Sequence, residues 1–299
     1  MIDVRALLDS PSWPSDRGLD AILRSLLQQR DALVDTDRVD PASLWRADSF
    51  ALDRVDSFTH APAGRQEEIL RRCASERLAE ALFIEKLGLV FCAKMTLLAA
   101  TSEERMLYSL IAADEATHFH WIAQFAADAD PHSPFLSLLA EIVERGAQGS
   151  LTMLVQVVLE GWGVHHYRML ARDCANPKLR RILGHIAADE ARHHASGERL
   201  MAHRALDDTE RADIASMLRR LLDMVRCGPQ SVIAAIGPSD LEEATWCFAQ
   251  IGSDDTLAKL ELLRKLIGDA PVGELSVELE RAGAFTPMSA EECANCLMS

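Results

Sequence analysis

Apolar residues fill the same helical faces over long stretches in the middle of the chain. The two densest runs cover residues 78–91 and 151–159. Nowhere do apolar and polar residues alternate convincingly at period two, which is the pattern of a half-buried strand. The chain therefore predicts an all-α protein. We expect four long helices, at roughly residues 65–100, 103–128, 149–174 and 177–206.

The segments on either side of these helices have a different pattern. Residues 1–64 are rich in Asp, Pro and Ser, and predict helix only over about 17–34. A long connection between the second and third helices contains a short helix near 135–145, as expected where a crossover joins two helical hairpins. Beyond residue 206, Gly-Pro and Ala-Pro pairs separate further helices, predicted near 209–226, 239–267 and 273–283.

This pattern divides the chain into three parts. We predict an N-terminal helical extension over 1–64, a four-helix bundle over 65–206, and a C-terminal helical extension over 207–299 that packs on the bundle.

One octapeptide occurs twice with a single difference. Residues 111–118 read Ile-Ala-Ala-Asp-Glu-Ala-Thr-His, and residues 186–193 repeat them with Arg in place of Thr. Each copy contains Glu-x-x-His, which places a carboxylate and an imidazole on one helical face, a turn apart. Two such pairs, with one further Glu from each of two other helices, hold two metal ions in four-helix bundles. The candidate ligands in the two copies are Glu115, His118, Glu190 and His193.

Two further glutamates occur at matching positions. Glu85 and Glu160 each lie 30 residues before the glutamate of a Glu-x-x-His motif. Turn signals lie midway in each interval: residues 101–104 form a capping-box pattern, and Asn176 is an N-cap residue followed by proline. Each upstream glutamate and its motif are therefore expected at one depth of an antiparallel helical hairpin.

The neighbours of Glu85 and Glu160 are typical of a protein core. On the same helical face they are mostly small or apolar, and no Lys or Arg lies there to form an ion pair. An unpaired buried carboxylate is costly in free energy, and a bound metal ion offsets that cost. Glu76 and Glu80 lie on a different face and are weaker candidates.

Composition and charge narrow the range of functions. The formal net charge is −15, so a general nucleic-acid surface is not expected. Seven cysteines, odd in number and scattered, predict no disulfide framework and indicate a reduced, cytoplasmic protein. The N-terminus lacks the apolar run of a secretion signal. The most apolar segment, 78–100, carries too many charged residues to span a membrane.

In order and spacing, these motifs resemble those of the ferritin-like dimetal carboxylate superfamily, over roughly residues 70–200. The resemblance implies a ferritin-like four-helix bundle, here extended at both ends. The implied roles are terminal or bridging ligands for Glu85 and Glu160, bridging ligands for Glu115 and Glu190, and single-metal ligands for His118 and His193. Asp114 and Asp189 would each accept a hydrogen bond from the imidazole of the opposite motif, which fixes its tautomer.

The ligand set also bears on the cofactor and the branch of the superfamily. Carboxylates with only two neutral imidazoles favour iron or manganese over zinc or copper. The resemblance implies two Fe ions, with Mn/Fe as the alternative, and O2 as co-substrate. Long extensions on both sides of the bundle favour a member with a substrate pocket over a bare storage bundle.

Three positions differ from particular branches of the superfamily. Ile122 stands where the ribonucleotide reductase small subunit has its radical tyrosine, and Val164 stands where large hydrocarbon monooxygenases have Thr. Ile186 takes the place of the extra histidine of arylamine N-oxygenases, since His185 is one position off that face. This last difference weakens the assignment to arylamine oxygenases without excluding it.

We therefore predict a non-haem diiron oxygenase or oxidase. It would oxidise a small or medium organic molecule by hydroxylation, N-oxygenation, desaturation or oxidative cleavage. An acyl-chain desaturase or aldehyde-deformylating enzyme is one alternative, a ferroxidase or iron-storage protein another, and a metal-free helical interaction module a third. The expected partners are an organic substrate and an external electron donor of the ferredoxin or flavin-reductase type. Neither nucleic acid nor membrane is expected, and a homodimer is left open.

Some residues near the ligands have simpler interpretations. Gly161 and Gly163 indicate room for O2 or substrate, a π-bulge, or close helix packing. The C-x-x-C formed by Cys293 and Cys296 has no second pair to complete a zinc site. A chance spacing of two surface cysteines is favoured over a redox role. For the two tyrosines, Tyr108 and Tyr167, core packing is favoured over a role in the chemistry. Metal ligation is not favoured for the nearby histidines, which are His120, His165, His166 and His194.

Overall fold

The computed structural model describes residues 39–126, 133–270 and 272–298. Across these residues the regular structure is helical, apart from a single β-bridge between Trp45 and Cys174. The all-α prediction is therefore confirmed. None of the helices in this part of the chain is long and apolar enough to cross a membrane. The predicted helix at 17–34 lies outside the described residues.

Short 3-10 turns and a one-turn helix precede the long helices, at Pro41–Ser43, Ala47–Phe50, Leu52–Arg54 and Asp56–Thr59. The helices that follow, in chain order, are α1 Ala63–Leu98, α2 Ser102–Ile122, α3 Pro134–Arg145, α4 Gln148–Leu151, a π-helical segment Thr152–Leu159, α5 Glu160–Asp173 and α6 Pro177–Met201. The C-terminal part contains α7 Asp208–Arg226, α8 Gln230–Ile236, α9 Leu241–Ile251, α10 Asp254–Gly268, α11 Gly273–Arg281 and α12 Ala290–Met298.

Most predicted helices occur, with two differences. The third long helix is not uniform, because α4 and α5 are joined through the π-helical segment. The helix predicted over 239–267 is wrong as a single element. It is divided into α9 and α10 at Gly252, whose φ of 77° is the left-handed conformation that favours glycine. Helices α8 and α12 were not predicted.

The described residues form two compact units. The first contains Val39 and Arg77–Gln148, and the second contains Asp40–Glu76 and Gly149–Ser299. The boundary between them falls inside α1. The division at residues 64 and 206 that the sequence suggests remains a prediction.

In the first unit, a half-buried lysine binds the C-terminal end of α3. The Lys94 ammonium group donates hydrogen bonds to the carbonyls of Val143, Glu144 and Gly146, each at 2.9 Å. These carbonyls end α3, so the cation meets the negative end of the helix dipole. Burial lowers the pKa of Lys94, and the three carbonyl oxygens replace the water that it loses.

In the second unit, the C-terminal helices pack directly on the hairpin formed by α5 and α6. The carboxylate of Glu210 in α7 accepts a hydrogen bond from the Gly149 amide at 2.9 Å. A Cβ added at Gly161 would lie 2.7 Å from a methyl group of Leu266, so α5 and α10 are in close contact there. The indole of Trp45 donates to the Leu170 carbonyl at 3.1 Å.

Candidate metal centre

The first unit holds a helical hairpin made by the end of α1 and by α2. Its turn is the predicted one: the Thr101 hydroxyl accepts the amide hydrogen of Glu104 at 3.1 Å, and the Glu104 carboxylate accepts that of Ala100 at 2.8 Å. This capping satisfies two backbone donors at the start of α2. The turn lies between Glu85 and the first Glu-x-x-His motif, so the chain reverses where the spacing of the ligands requires it.

Three predicted ligands meet inside this hairpin. Glu85 and His118 are almost fully buried, at 1 % and 0 % exposure, and Glu115 is also buried. The His118 Nδ1 atom lies 3.2 Å from the Glu85 Oε2 atom. One candidate ligand atom from each of the three side chains lies within 4.8 Å of the others. We call this group the first triad.

A glycine leaves room for the central carboxylate of the first triad. Gly88 lies one turn after Glu85 on α1, facing Glu115 on α2. A Cβ added at Gly88 would overlap the Glu115 Oε2 atom and lie 2.8 Å from its Cδ atom. No side chain larger than hydrogen fits at position 88 unless Glu115 moves.

The second unit repeats this arrangement with α5 and α6. Its turn is also the predicted one, because the Asn176 side chain accepts the amide hydrogens of Lys178 and Leu179 and Pro177 opens α6. Glu160, Glu190 and His193 are buried.

These three residues form the second triad. The His193 Nδ1 atom lies 3.7 Å from the Glu160 Oε2 atom. Gly163 faces Glu190 as Gly88 faces Glu115, with an added Cβ 3.5 Å from the Glu190 Oε2 atom. Within each hairpin, the glycine and the glutamate that it faces therefore occupy corresponding positions.

The π-helical segment precedes Glu160, the first residue of the second triad. Residues Thr152–Leu159 lead directly into Glu160, and seven of the eight are buried. The Gln156 side chain donates to the Ser196 hydroxyl at 3.0 Å, and that hydroxyl donates to the His193 carbonyl at 2.7 Å. The imidazole Nδ1 of His194 lies 3.0 Å from the Val157 carbonyl. These contacts tie the π-helical segment to the part of α6 that carries His193.

Close helix packing, not a π-bulge at the glycines, explains Gly161. An added Cβ there would lie 3.0 Å from ring atoms of His194. The π-helical segment lies before Glu160 instead of at Gly161 and Gly163, where the sequence had suggested a bulge.

The single difference between the two octapeptides lies outside the triads. Thr117 is buried, and its hydroxyl donates to the Ala113 carbonyl at 2.8 Å. Arg192 is exposed and forms an ion pair with Asp189 on the same helix. Asp114 and Asp189 are half-buried, and their role as imidazole acceptors remains a prediction.

The other candidate residues occupy positions consistent with packing. Tyr108 is fully buried with its ring against Phe91, the centroids 6.1 Å apart and the planes nearly perpendicular. Tyr167 is buried next to His166. Among the described residues, the clusters able to hold a metal ion include none of the four extra histidines that the sequence singled out. Glu80 is half-buried and Glu76 is exposed, in contrast to Glu85.

The donor set of each triad fits a hard metal ion. Each provides two carboxylates and one imidazole, and in the first triad two carboxylate oxygens lie within 4.8 Å of each other in a buried place. Two like charges at that distance, removed from water, repel each other strongly unless a cation lies between them. Oxygen-rich sites with imidazole suit iron and manganese.

The sequence interpretation singled out Gly163 but missed that a glycine faces the central glutamate in both hairpins. Each upstream glutamate is followed by glycine at the third position, giving Glu-x-x-G at Glu85–Gly88 and at Glu160–Gly163. This repeat could have been found by aligning the two halves, since it keeps the spacing of the Glu-x-x-His repeat. Its meaning depends on the facing helix, which local sequence does not show.

Two helical hairpins of this all-α protein carry buried Glu and His side chains that could hold metal ions. Residues 73–203 match the family model described as the ferritin-like domain, and this segment contains all six triad residues. The predicted resemblance to ferritin-like proteins is therefore confirmed for this segment. No curated protein and no solved structure gave a significant match to the chain.

Proposed function

We propose that the two triads together bind two iron ions and that the protein is an O2-dependent oxygenase or oxidase acting on a small or medium organic substrate. The observation that carries the proposal is the repetition of one buried Glu, Glu and His arrangement in both hairpins of a ferritin-like domain. Mixed Mn/Fe occupancy is the alternative metal content. In ferritin-like di-iron proteins, two such groups supply the ligands of one dimetal site.

The residues of the chain hold and shield the metals. Six residues would hold the two ions, with Glu115 and Glu190 as the central carboxylates and with Glu85, His118, Glu160 and His193 completing the set. Gly88 leaves the space that the Glu115 carboxylate occupies, and at Gly163 an added Cβ would lie 3.5 Å from the Glu190 Oε2 atom. A metal pair of this kind supplies two-electron chemistry with O2. Burial of the ligands excludes bulk water from the reacting groups.

Two observations favour an oxygenase or oxidase over a storage protein. In the second unit, Glu210 of α7 contacts Gly149 of α4, and Leu266 of α10 contacts Gly161, next to Glu160 in α5. A π-helical segment also precedes Glu160, and such segments occur frequently at functional sites. A protein that only stores iron needs neither feature.

The proposal includes two partners. Incorporating one oxygen atom of O2 into an organic molecule, with the other leaving as water, consumes two electrons beyond those that the substrate provides. An external donor of the ferredoxin or flavin-reductase type would deliver them. The substrate is an organic molecule.

Metal content is the decisive measurement. Wild-type protein from iron- and manganese-supplemented cells should contain about two metal ions per chain. The variant Glu115→Ala/Glu190→Ala should lose nearly all of them, because both central carboxylates are gone. Glu80→Ala is the matched control, since it removes a half-buried carboxylate of α1 outside the triads.

The outcomes separate the alternatives. Two metals in wild type and in Glu80→Ala, together with substrate- and reductant-dependent O2 consumption, support the oxygenase. Rapid Fe(II) oxidation with many iron atoms accumulating per chain would instead indicate a ferroxidase. Metal-free wild-type protein would contradict the proposal.

A further inference from the structure

Two cysteines that are far apart in sequence meet in the second unit. The Sγ atoms of Cys227, at the end of α7, and Cys296, in α12, are 3.3 Å apart. Cys227 is half-buried and Cys296 is exposed, and the Met288 sulfur lies 3.5 Å from Cys227 Sγ. The seven cysteines all belong to the described residues, and none is in a disulfide in the structure.

A framework of hydrogen bonds holds the two sulfur atoms together. The Arg226 guanidinium donates to the Thr286 carbonyl at 2.7 Å, and the Met288 amide donates to the Arg226 carbonyl at 3.1 Å. The Gln230 side chain donates to the Cys293 carbonyl at 3.1 Å. The start of α12 is thereby anchored on both sides of Cys227. A disulfide has a bond length of about 2.0 Å, so closing the gap of 3.3 Å requires a shift of only about 1 Å.

We propose that Cys227 and Cys296 form a reversible disulfide when the protein meets a hydroperoxide, and that this bond fastens α12 to the end of α7. The pair is distinct from the C-x-x-C motif in the sequence, in which Cys296 is paired with Cys293. The proposal is independent of the metal centre and of the reaction proposed for it.

The exposure of the two thiols sets the order of the steps. Cys296 is exposed, so a hydroperoxide reaches its sulfur first. An S–O bond forms, the O–O bond breaks, and the thiol proton passes to the departing oxygen, which leaves a sulfenic acid and an alcohol or water. The Cys227 sulfur then attacks the Cys296 sulfur. The S–S bond forms, the S–O bond breaks, and the hydroxyl group leaves with the Cys227 proton as water.

The electrons balance in this sequence. Two thiols lose two electrons and two protons, and the hydroperoxide is reduced by two electrons. Burial, together with the hydrogen bond to Cys296, raises the pKa of Cys227 to about 12. Burial likewise raises the pKa of Cys293 to about 11. Cys227 is half-buried and Cys293 is buried, so both are less accessible to the oxidant than the exposed Cys296.

The test uses the full chain, reduced and then treated with hydrogen peroxide. After remaining thiols are alkylated, peptide mass spectrometry should find Cys227 linked to Cys296 and a loss of two hydrogen atoms per chain. The link should persist in Cys293→Ser and in Cys247→Ser, the latter a buried cysteine of α9 that serves as control. A thiol reductant should restore the original mass.

A second variant reports on the intermediate. In Cys227→Ser the sulfenic acid at Cys296 lacks its resolving thiol, so dimedone should label Cys296 several-fold more than in wild type. A Cys293–Cys296 link, a disulfide between two chains, or equal dimedone labelling in wild type and Cys227→Ser would each overturn the proposal.

Discussion

The two ligand-bearing hairpins have the same register, but they hold their central carboxylates differently. In the first hairpin Gly88 is pressed against Glu115, and an added Cβ would lie 2.8 Å from its Cδ atom. In the second, a Cβ added at Gly163 would lie 3.9 Å from the Glu190 Cδ atom, which is an ordinary contact distance. The histidine to upstream glutamate distances differ in the same sense, at 3.2 Å and 3.7 Å.

The helix that carries the upstream glutamate differs as well. In the first hairpin α1 remains α-helical through Glu85, whereas in the second the π-helical segment precedes Glu160. Polar contacts from Ser196 and His194 support this segment. The two hairpins therefore place the same Glu and His residues in different surroundings. The first is closely packed at Gly88, and the second has a π-helical segment before Glu160.

The largest effect on stability is expected when the first octapeptide receives the residue that the second has at its one differing position. Thr117→Arg places a cation where the native side chain is 6 % exposed. Burying an unpaired charge should lower the free energy of unfolding by roughly 3 kcal/mol or more. Denaturant unfolding measures this.

The reciprocal change is the matched control. Arg192→Thr removes only an ion pair whose arginine is largely exposed, so the free energy of unfolding should change by about 0.5 kcal/mol or less. Similar losses in both variants would show that the two octapeptides have equivalent surroundings, against the structure.

The second-largest effect is expected when each glycine that faces a central glutamate is replaced by alanine, and it should differ between the two hairpins. Gly88→Ala forces Glu115 to move, so bound metal should fall several-fold, and overpacking should cost about 1–3 kcal/mol in the free energy of unfolding. Gly163→Ala should retain its metal and gain up to about 1 kcal/mol from better helix propensity. Metal analysis and denaturant unfolding of the two variants measure these effects. Loss of metal in Gly163→Ala but not in Gly88→Ala would contradict the prediction that the first hairpin is the more tightly packed.

The smallest effect is expected at the π-helical segment. His194→Phe keeps an aromatic ring of similar size and removes the hydrogen bond to the Val157 carbonyl. The free energy of unfolding should fall by about 1 kcal/mol, and amide exchange should rise near Thr152–Leu159. His165→Phe, an exposed histidine of α5, is the control and should change neither. Unchanged exchange in His194→Phe would show that the segment does not depend on this contact.

The long helices of the two hairpins, and the N-termini of α2 and α6, could be predicted from the sequence because their causes are local. Apolar periodicity placed the long helices, and Thr101 and Asn176 cap them as expected, since an N-cap bonds to amides only two or three residues away. The division at Gly252 was missed because apolar periodicity continues across it, although the left-handed backbone there is a local feature.

The candidate site was partly predictable for a similar reason. The repeat of Glu-x-x-His and the equal intervals to Glu85 and Glu160 singled out the buried carboxylates, because helical spacing determines which side chains share a face. Their burial agrees with that reasoning.

The sequence by itself determined the helical class, the turns of the two hairpins and the six candidate ligands, all of which depend on neighbours within a few residues or on exact repetition. Only the tertiary structure decided how closely Gly88 approaches Glu115, where the helix changes to π geometry, and that Cys227 meets Cys296. These features depend on contacts between helices distant in the chain, and on sub-ångström differences in packing that residue patterns do not encode.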